Sequence, residues 1–380
     1  MSMLEPAVYF ILSLYGALVF LLLAGLRRGG PVAPEEWTPP VTIVVPARNE
    51  AAVIEKCLHS LLNLNYPADK LDIIVVDDGS TDNTVELAEK YVRTNSHLRV
   101  MRASGFDGKA NGKAAAIDDV MPKTSGDIIF ITDADCEVPP SWIQGHLRHY
   151  NEETGMVGGF IVLTRKGEKP SCFRRLQSLD WIYLACIGSG AASLGIPLSI
   201  FGNNLSFRRK AYEEVGGFCA AGFSLIEDFS FMMAVVKKTP WKVALTCSSM
   251  NLMYTGAARN FKEFYNQRKR WILGGRNISP VGLCLLSFGF AVRLLPLVLL
   301  AAGLPKPGVF TLVVSGVLDI FLLSASAWLL KRREIMWCDL AYLPFALFQT
   351  LFFAPVFLFA RSVKWKGRKY HISQSNKTGS

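Results

Sequence analysis

Gly126-Asp127-Ile128-Ile129-Phe130-Ile131-Thr132-Asp133-Ala134-Asp135 is the stretch from which the rest of the chain is read. Its mostly apolar middle, with three isoleucines and a phenylalanine, reads as a buried strand. The strand runs into two acids one residue apart. If extended geometry continues, alternate side chains point the same way and Asp133 and Asp135 face one point. Converging carboxylates repel unless something positive lies between them. A hard divalent cation suits them, and such an ion keeps positions open for substrate phosphates. An Asx-rich turn capping the next helix is the competing reading of the same residues.

Working outward, Val41 to Pro46 (Val-Thr-Ile-Val-Val-Pro) is a first buried strand that Pro46 ends. A helix from about Glu50 to Leu64 follows, with Val53, Ile54, Cys57, Leu58, Leu61 and Leu62 at helical spacing, and Asn65-Tyr66-Pro67 breaks it. Leu71 to Val76 is a second strand, leading into Asp77-Asp78-Gly79-Ser80-Thr81-Asp82. The next helix starts near Asn83 or Thr84, its dipole open to an anion. The opening stretch is then the third strand. Strands alternating with helices predict a parallel α/β sheet whose ligand crevice lies beyond the strands' carboxyl ends. Pro46-Ala47-Arg48, Asp77-Asp78 and Asp133/Asp135 all fall on that edge.

The chain's 380 residues are 51% hydrophobic with mean hydropathy +0.27, more apolar than an ordinary soluble enzyme, and the excess lies at the two ends. Ala7 to Leu26 carries no charge and is long enough to cross a bilayer; no basic region precedes it, which disfavours a signal peptide. Arg27-Arg28 then puts the chain from residue 27 onward in the cytoplasm. The net charge of +10 gathers beside apolar segments, which points to anionic headgroups and away from nucleic acid. Eight cysteines without C-x-x-C spacing indicate neither a zinc site nor a disulfide framework. The expected division is a membrane helix over 1–28, a linker over 29–40, a catalytic domain over 41–277, membrane helices over 278–366 and a flexible basic tail over 367–380.

Val44-Val45-Pro46-Ala47-Arg48-Asn49-Glu50, Val75 to Asp82 and Asp133-Ala134-Asp135 resemble the nucleotide-sugar half of family 2 glycosyltransferases with a GT-A fold. Gly216-Gly217-Phe218, Glu227-Asp228 and Gln267-Arg268-Lys269-Arg270-Trp271 resemble the acceptor half and its Q-x-x-R-W signature, so the likeness runs in order over about 41 to 276. The resemblance implies that Pro46, Ala47, Arg48, Glu50, Asp77 and Asp78 line the nucleoside pocket, with Ala134 on the donor side. It implies that Lys113 and Arg270 meet the diphosphate and that Asp133 and Asp135 hold Mg²⁺ or Mn²⁺. Asp228 is the expected general base in an inverting transfer, with Glu227 its competitor, because adjacent helical residues diverge by about 100°. Gln267, Arg270 and Trp271 share a helix face, with Gln267, Trp271, Gly202 and Asn203 toward the acceptor, while Arg268 and Lys269 are expected to anchor at the membrane. Asp118 departs from the family, which usually shows asparagine there.

Phe173 to Ile200 is apolar and rich in small residues, and reads either as a core helix with a loop or as an interfacial element guiding a lipid. Three apolar stretches follow, about 280–304, 309–330 and 337–360. Arg293 and Asp319 each lie thirteen residues from Lys306, so a hairpin there places them at equal depth and predicts that they pair. Four full spans would put the basic tail outside, against the positive-inside rule. Pro344, Gln349 and Pro355 make the last stretch a candidate for re-entrant or interfacial placement. The expectation is an integral membrane enzyme of a bacterial-type inner or plasma membrane. It moves one sugar from a nucleotide-sugar donor, UDP-linked, to a lipid hydroxyl on the cytoplasmic leaflet. A processive polysaccharide synthase, a polyprenyl-phosphate sugar transferase and a non-catalytic scaffold are the alternatives.

Overall fold

Buried β-branched runs build the sheet. The computed structural model describes residues 4–27, 36–104, 112–165, 167–333, 339–365 and 368–371. After helix α1 (Leu4–Arg27) come β1 (Val41–Ala47), α2 (Ile54–Leu62), β2 (Leu71–Asp77), α3 (Thr84–Val92), β3 (Leu98–Arg102), α4 (Gly112–Val120) and β4 (Ile128–Ile131). The second half adds α5 (Trp142–Leu147), β5 (Thr154–Gly159), β6 (Ile161–Val162), α6 (Cys172–Ser193), β7 (Leu205–Arg208), α7 (Arg209–Val215), α8 (Gly217–Ala220) and α9 (Glu227–Lys238). It continues with β8 (Lys242–Thr246), β9 (Met253–Tyr254) and α10 (Phe261–Gly274). The chain closes with α11 (Pro280–Ala301), α12 (Pro305–Leu329), α13 (Asp339–Phe359), β10 (Ser362–Trp365) and β11 (Arg368–His371).

Seven strands form one mostly parallel sheet in the order β3-β2-β1-β4-β7-β5-β8, with β7 antiparallel to both its neighbours. The chain winds outward from β1 through β2 to β3, then returns to place β4 on β1's other side. That reversal opens a crevice past the carboxyl ends of β1 and β4, where Arg48 and Asp133 emerge. β3 is a strand that hydropathy alone does not announce, because Arg99 and Arg102 interrupt its apolar residues. Helix α2 starts at Ile54, later than expected, and Pro46 lies within β1. Along β1, Ile43 and Val45 pack into the core under α2, and Val44 packs into the core with α4 and α9.

A third apolar cluster joins the catalytic domain to α1, α11, α12 and α13 through α6. Gly190 of α6 lies so close to α1 that a Cβ there would stand 2.7 Å from the Leu22 carbonyl oxygen, so the two helices meet almost backbone to backbone. α6 is the core helix of the two readings offered for 173–200, with Gln177 to Ile182 buried in sequence. Within the apolar helices Arg293 sits 3.3 Å from Asp319, the expected pair, and Asp319 also accepts hydrogen bonds from Tyr183 (2.7 Å) and Tyr15.

Four helices, α1, α11, α12 and α13, are long and apolar enough to cross a membrane. α13 is continuous through Pro344 and Pro355 and lies along α10, with Phe345 and Phe353 both against Phe264 and Phe352 against Phe261. Beyond it, Arg276 donates to the carbonyls of Phe357 and Ala360, and Val363 of β10 is buried with Phe223, Leu225 and Leu273. Arg28, most of the 29–40 linker and most of the 367–380 tail lie outside the described residues.

Candidate active site

Loop geometry at the sheet's edge begins with Asn49, which adopts φ 55°, a left-handed conformation that asparagine tolerates. Its side chain accepts from the Thr81 N–H (2.8 Å) while its own N–H donates to Ser80 Oγ (3.0 Å). The Ala51 N–H donates to Asp82, and the Asp78 N–H donates to the Ala47 carbonyl (2.9 Å). The turns after β1 and β2 are thus tied into one wall. Arg48 reaches Asp78 at 3.5 Å across it. Asp77, by contrast, does not line the cavity: it is buried and accepts from the Ser80 N–H at 3.0 Å, closing the turn. Of the two adjacent acids, only Asp78 lines the cavity.

β4 stops at Ile131, so Asp133 and Asp135 stand in the turn beyond it and the extended geometry expected of them does not continue. Both carboxylates nevertheless line the same cavity. Lys113, from the first turn of α4, places its ammonium 2.6 Å from Asp133 and 3.3 Å from Glu227. Burial works against that charge, but Asp133, Glu227 and Asp228 outweigh it and hold the lysine firmly protonated. A cation therefore already sits against this carboxylate. No group of three His, Cys, Asp or Glu residues able to hold a metal occurs among the described residues. Two carboxylates lining one cavity suit a hard divalent ion of the Mg²⁺ or Mn²⁺ kind, which completes its shell with water and phosphate oxygens.

Glu227 and Asp228 open α9, where the helix dipole favours negative charge. Their environments separate them. Burial and the neighbouring Glu227 charge push Asp228 up to about 6, with Lys113 acting the other way. Burial alone would also raise Glu227, but Lys113 and Arg270 outweigh it and hold this carboxyl below its ordinary value. Gly202 lies against Asp228: a Cβ there would come within 2.6 Å of the carboxylate carbon. The loop bearing Gly202 and Asn203 is held by Asn204, whose buried side chain accepts from Trp142 Nε1 (2.8 Å), contacts His146 Nε2 (2.9 Å) and donates to Phe160 O (2.7 Å). No motif signalled this network.

The Q-x-x-R-W helix α10 brings Gln267, Arg270 and Trp271 into the cavity together. Arg268 does not anchor at a membrane surface as expected. It is buried, paired with Asp180 of α6 at 2.5 Å, and stacked over Trp271 at 4.6 Å. Trp271 meets Trp181 edge-on at 4.9 Å, and Trp181 stacks on Phe201. Asp118 is also structural, accepting from the Tyr212 hydroxyl (2.7 Å) and from the N–H groups of Phe218 (2.9 Å) and Cys219 (2.7 Å). It fastens the Gly216-Gly217-Phe218 turn.

One cavity of about 610 Å³ gathers Pro46, Ala47, Arg48, Glu50, Asp78, Lys113, Asp133, Ala134 and Asp135 with Gly202, Asn203, Glu227, Asp228, Gln267, Arg270 and Trp271. It extends past Leu198 and Ile200, at the end of the apolar 173–200 stretch, and past Thr255 and Leu245, which carried no sequence signal. Its polar end can hold a charged, hydrogen-bonding ligand, and its other end is lined with aliphatic side chains.

Residues 42–216 match the model of glycosyl transferase family 2. The beta-monoglucosyldiacylglycerol synthase of Synechocystis is 28% identical over 240 residues, covering 62% of this chain and 48% of that protein. The poly-beta-1,6-N-acetyl-D-glucosamine synthase of Staphylococcus aureus is 26% identical over 248 residues, covering 63% and 55%. The chain spans about half the length of these curated relatives. Among solved structures, the mannosyltransferase PcManGT from Pyrobaculum calidifontis, in complex with GDP-Man and Mn²⁺, aligns over 92% of this chain and 97% of its own with TM-score 0.57 at 20% identity. The two share a fold.

Proposed function

We propose that this chain, a family 2 glycosyltransferase with a GT-A fold, moves a single sugar from a nucleotide-sugar donor, UDP-linked, to a lipid hydroxyl at the cytoplasmic face of a membrane, with inversion. The observation that carries this reading is the position of Asp228. Its carboxylate lies in the same cavity as the Asp133/Asp135 pair and as an aliphatic arm that continues to α11. The glucosyldiacylglycerol synthase relatives, which act on a lipid by name, support the acceptor class.

Each residue's task follows from its chemistry. The wall from Pro46 to Glu50, with Asp78, supplies carboxylate and backbone groups to a base and a ribose. Asp133 and Asp135 would hold Mg²⁺ or Mn²⁺, which when bound neutralises charge on the departing diphosphate. Lys113 and Arg270 bring fixed positive charge to the same oxygens. Asp228, raised to about 6, is ionised at neutral pH and still basic enough to take the acceptor's proton as its oxygen attacks the anomeric carbon from the face opposite the diphosphate. Gly202 leaves room for that carboxylate, and Trp271, buttressed by Arg268 and Trp181, walls the acceptor side.

The membrane placement belongs to the same proposal. α1, α11 and α12 cross the bilayer, while α13 lies in its cytoplasmic interface, burying Phe353 and Val356 against α10 and Tyr342 and Ala346 against the α6 cluster, and exposing Leu340, Phe348, Leu351 and Phe359.

The test is to incubate the protein in lipid nanodiscs with UDP-hexoses and compare lipid masses with and without enzyme. A mass increase of one hexose on one lipid class supports the reading. A polymer ladder on a gel makes the protein a polysaccharide synthase. Transfer to a polyprenyl phosphate that survives Asp228→Asn removes the general-base assignment, because an anionic acceptor needs none. No transfer or donor hydrolysis at all leaves a non-catalytic scaffold.

A further inference from the structure

We propose that the aliphatic arm of the cavity is an acyl-chain subsite, entered from the bilayer between α6 and α11, which encloses the head-proximal part of the acceptor's chain. This deepens the proposed function and rests on the acceptor being a lipid alcohol.

The arm is continuous with the polar end of the cavity and is lined by Leu184, Gly188, Leu198, Ile200, Leu245 and Leu286. None carries a charge or a side-chain hydrogen-bonding group. A growing glycan would meet little here beyond Ser199, which also lines the cavity, whereas a hydrocarbon chain loses nothing by entering. The arm also opens on the correct side. Leu184 of α6 and Leu286 of α11 both line it and are 39% and 45% exposed, and α11 is one of the helices apolar enough to span a membrane. A chain could slide in laterally with its methylenes never crossing water.

The cavity's size fixes how much of the chain is held. About 610 Å³ is within the range of a pocket for one drug-sized ligand. A donor and the acceptor's head group must share that space, so only the first part of a chain is held there while the remainder stays in the bilayer. Gly188 sets the width at the middle. A Cβ there would stand 3.6 Å from Leu245 Cδ2 and 3.9 Å from the Ser199 carbonyl oxygen, ordinary contact distances, so the position accepts a Cβ and a bulkier side chain takes up room beside Leu245.

Two experiments test this on the full-length protein in nanodiscs. In the first, unmutated enzyme is photolysed with a diacylglycerol carrying a diazirine near the carbonyl end of one chain. Label on peptides covering 184–188 and 198–201, removed by excess unlabelled diacylglycerol, is the expected result. Label confined to the outer faces of α1 and α12 overturns the proposal. In the second, Gly188→Phe is assayed on dipalmitoylglycerol and dihexanoylglycerol. The kcat/KM for the long chains should fall by about tenfold or more and that for the short chains by less than about threefold, the scale on which an apolar pocket discriminates methylenes. An equal fall for both lengths overturns it. If the unmutated enzyme glycosylates neither lipid, the proposed acceptor class fails, while the photolabelling still decides whether the arm holds a chain.

Discussion

Asp228 and Glu227 are adjacent in sequence, yet burial and mutual repulsion lift the first to about 6 while Lys113 and Arg270 keep the second low. Two carboxylates driven apart in this way take different tasks. A base works only when ionised, so activity is lost as pH falls through the raised value. The kcat/KM profile is expected to show an acid limb near pH 6, and Asp228→Asn to lower kcat by about 10² to 10⁴ at neutral pH. A limb near pH 4 that persists in Asp228→Asn would assign it elsewhere. Gly202→Ala tests the close approach: the added carbon displaces the carboxylate, and a shift of about 1 Å can cost about 10²-fold in rate. Donor KM should change little, and a kcat equal to the unmutated enzyme's would show that the contact is not needed. A shared place in the cavity was legible where residues sit in a motif, as with Asp133, Asp135 and Asp228. Roles were not legible where a partner far along the chain decides. Arg268 looks like a surface base until Asp180 is seen beside it, and Asp77 looks like its neighbour Asp78 until the Ser80 turn claims it.

Elements read well when burial patterns were uniform. β1, β2 and β4 are near-continuous apolar runs buried on both faces, and the sequence marks them plainly. β3 escaped because it is an edge strand whose charged residues break the pattern. α13 keeps its helix despite two prolines, which neighbouring helices and an apolar setting tolerate better than water does. The α11–α12 hairpin was foreseen from depth alone, and its Arg293–Asp319 pair supplies a test. Arg293→Leu strands Asp319 without its cation, which costs about 3–5 kcal/mol for a buried pair. Asp319→Leu added to it removes the stranded charge. Folded yield in detergent and the melting temperature should drop in the single variant and recover in the double. A double variant as poor as the single would mean that the Tyr15 and Tyr183 hydrogen bonds to Asp319 matter more than the ion pair.

At the scale of the molecule, four apolar helices and a basic tail conflict until one helix is taken out of the count. α13 packs on α10 through Phe345, Phe348, Phe352 and Phe353, and the chain returns to the catalytic domain through Arg276 and Val363. With the three crossings proposed above, Arg361 falls on the side of the sheet, as the positive-inside rule prefers. Cys219, exposed in the catalytic domain, is a built-in reference for the test. In sealed vesicles, Arg361→Cys should react with a membrane-impermeant maleimide from the same side as Cys219. Labelling from opposite sides would restore the fourth crossing. The seating of Val363 against Phe223, Leu225 and Leu273 has a consequence for biogenesis. Phe223 and Leu225 precede the Glu227-Asp228 turn and Leu273 follows Arg270, so the apolar cluster beside the turn is complete only once β10 has been made. By then α1, α11, α12 and α13 have all been synthesised, and this corner of the domain is therefore among the last to close.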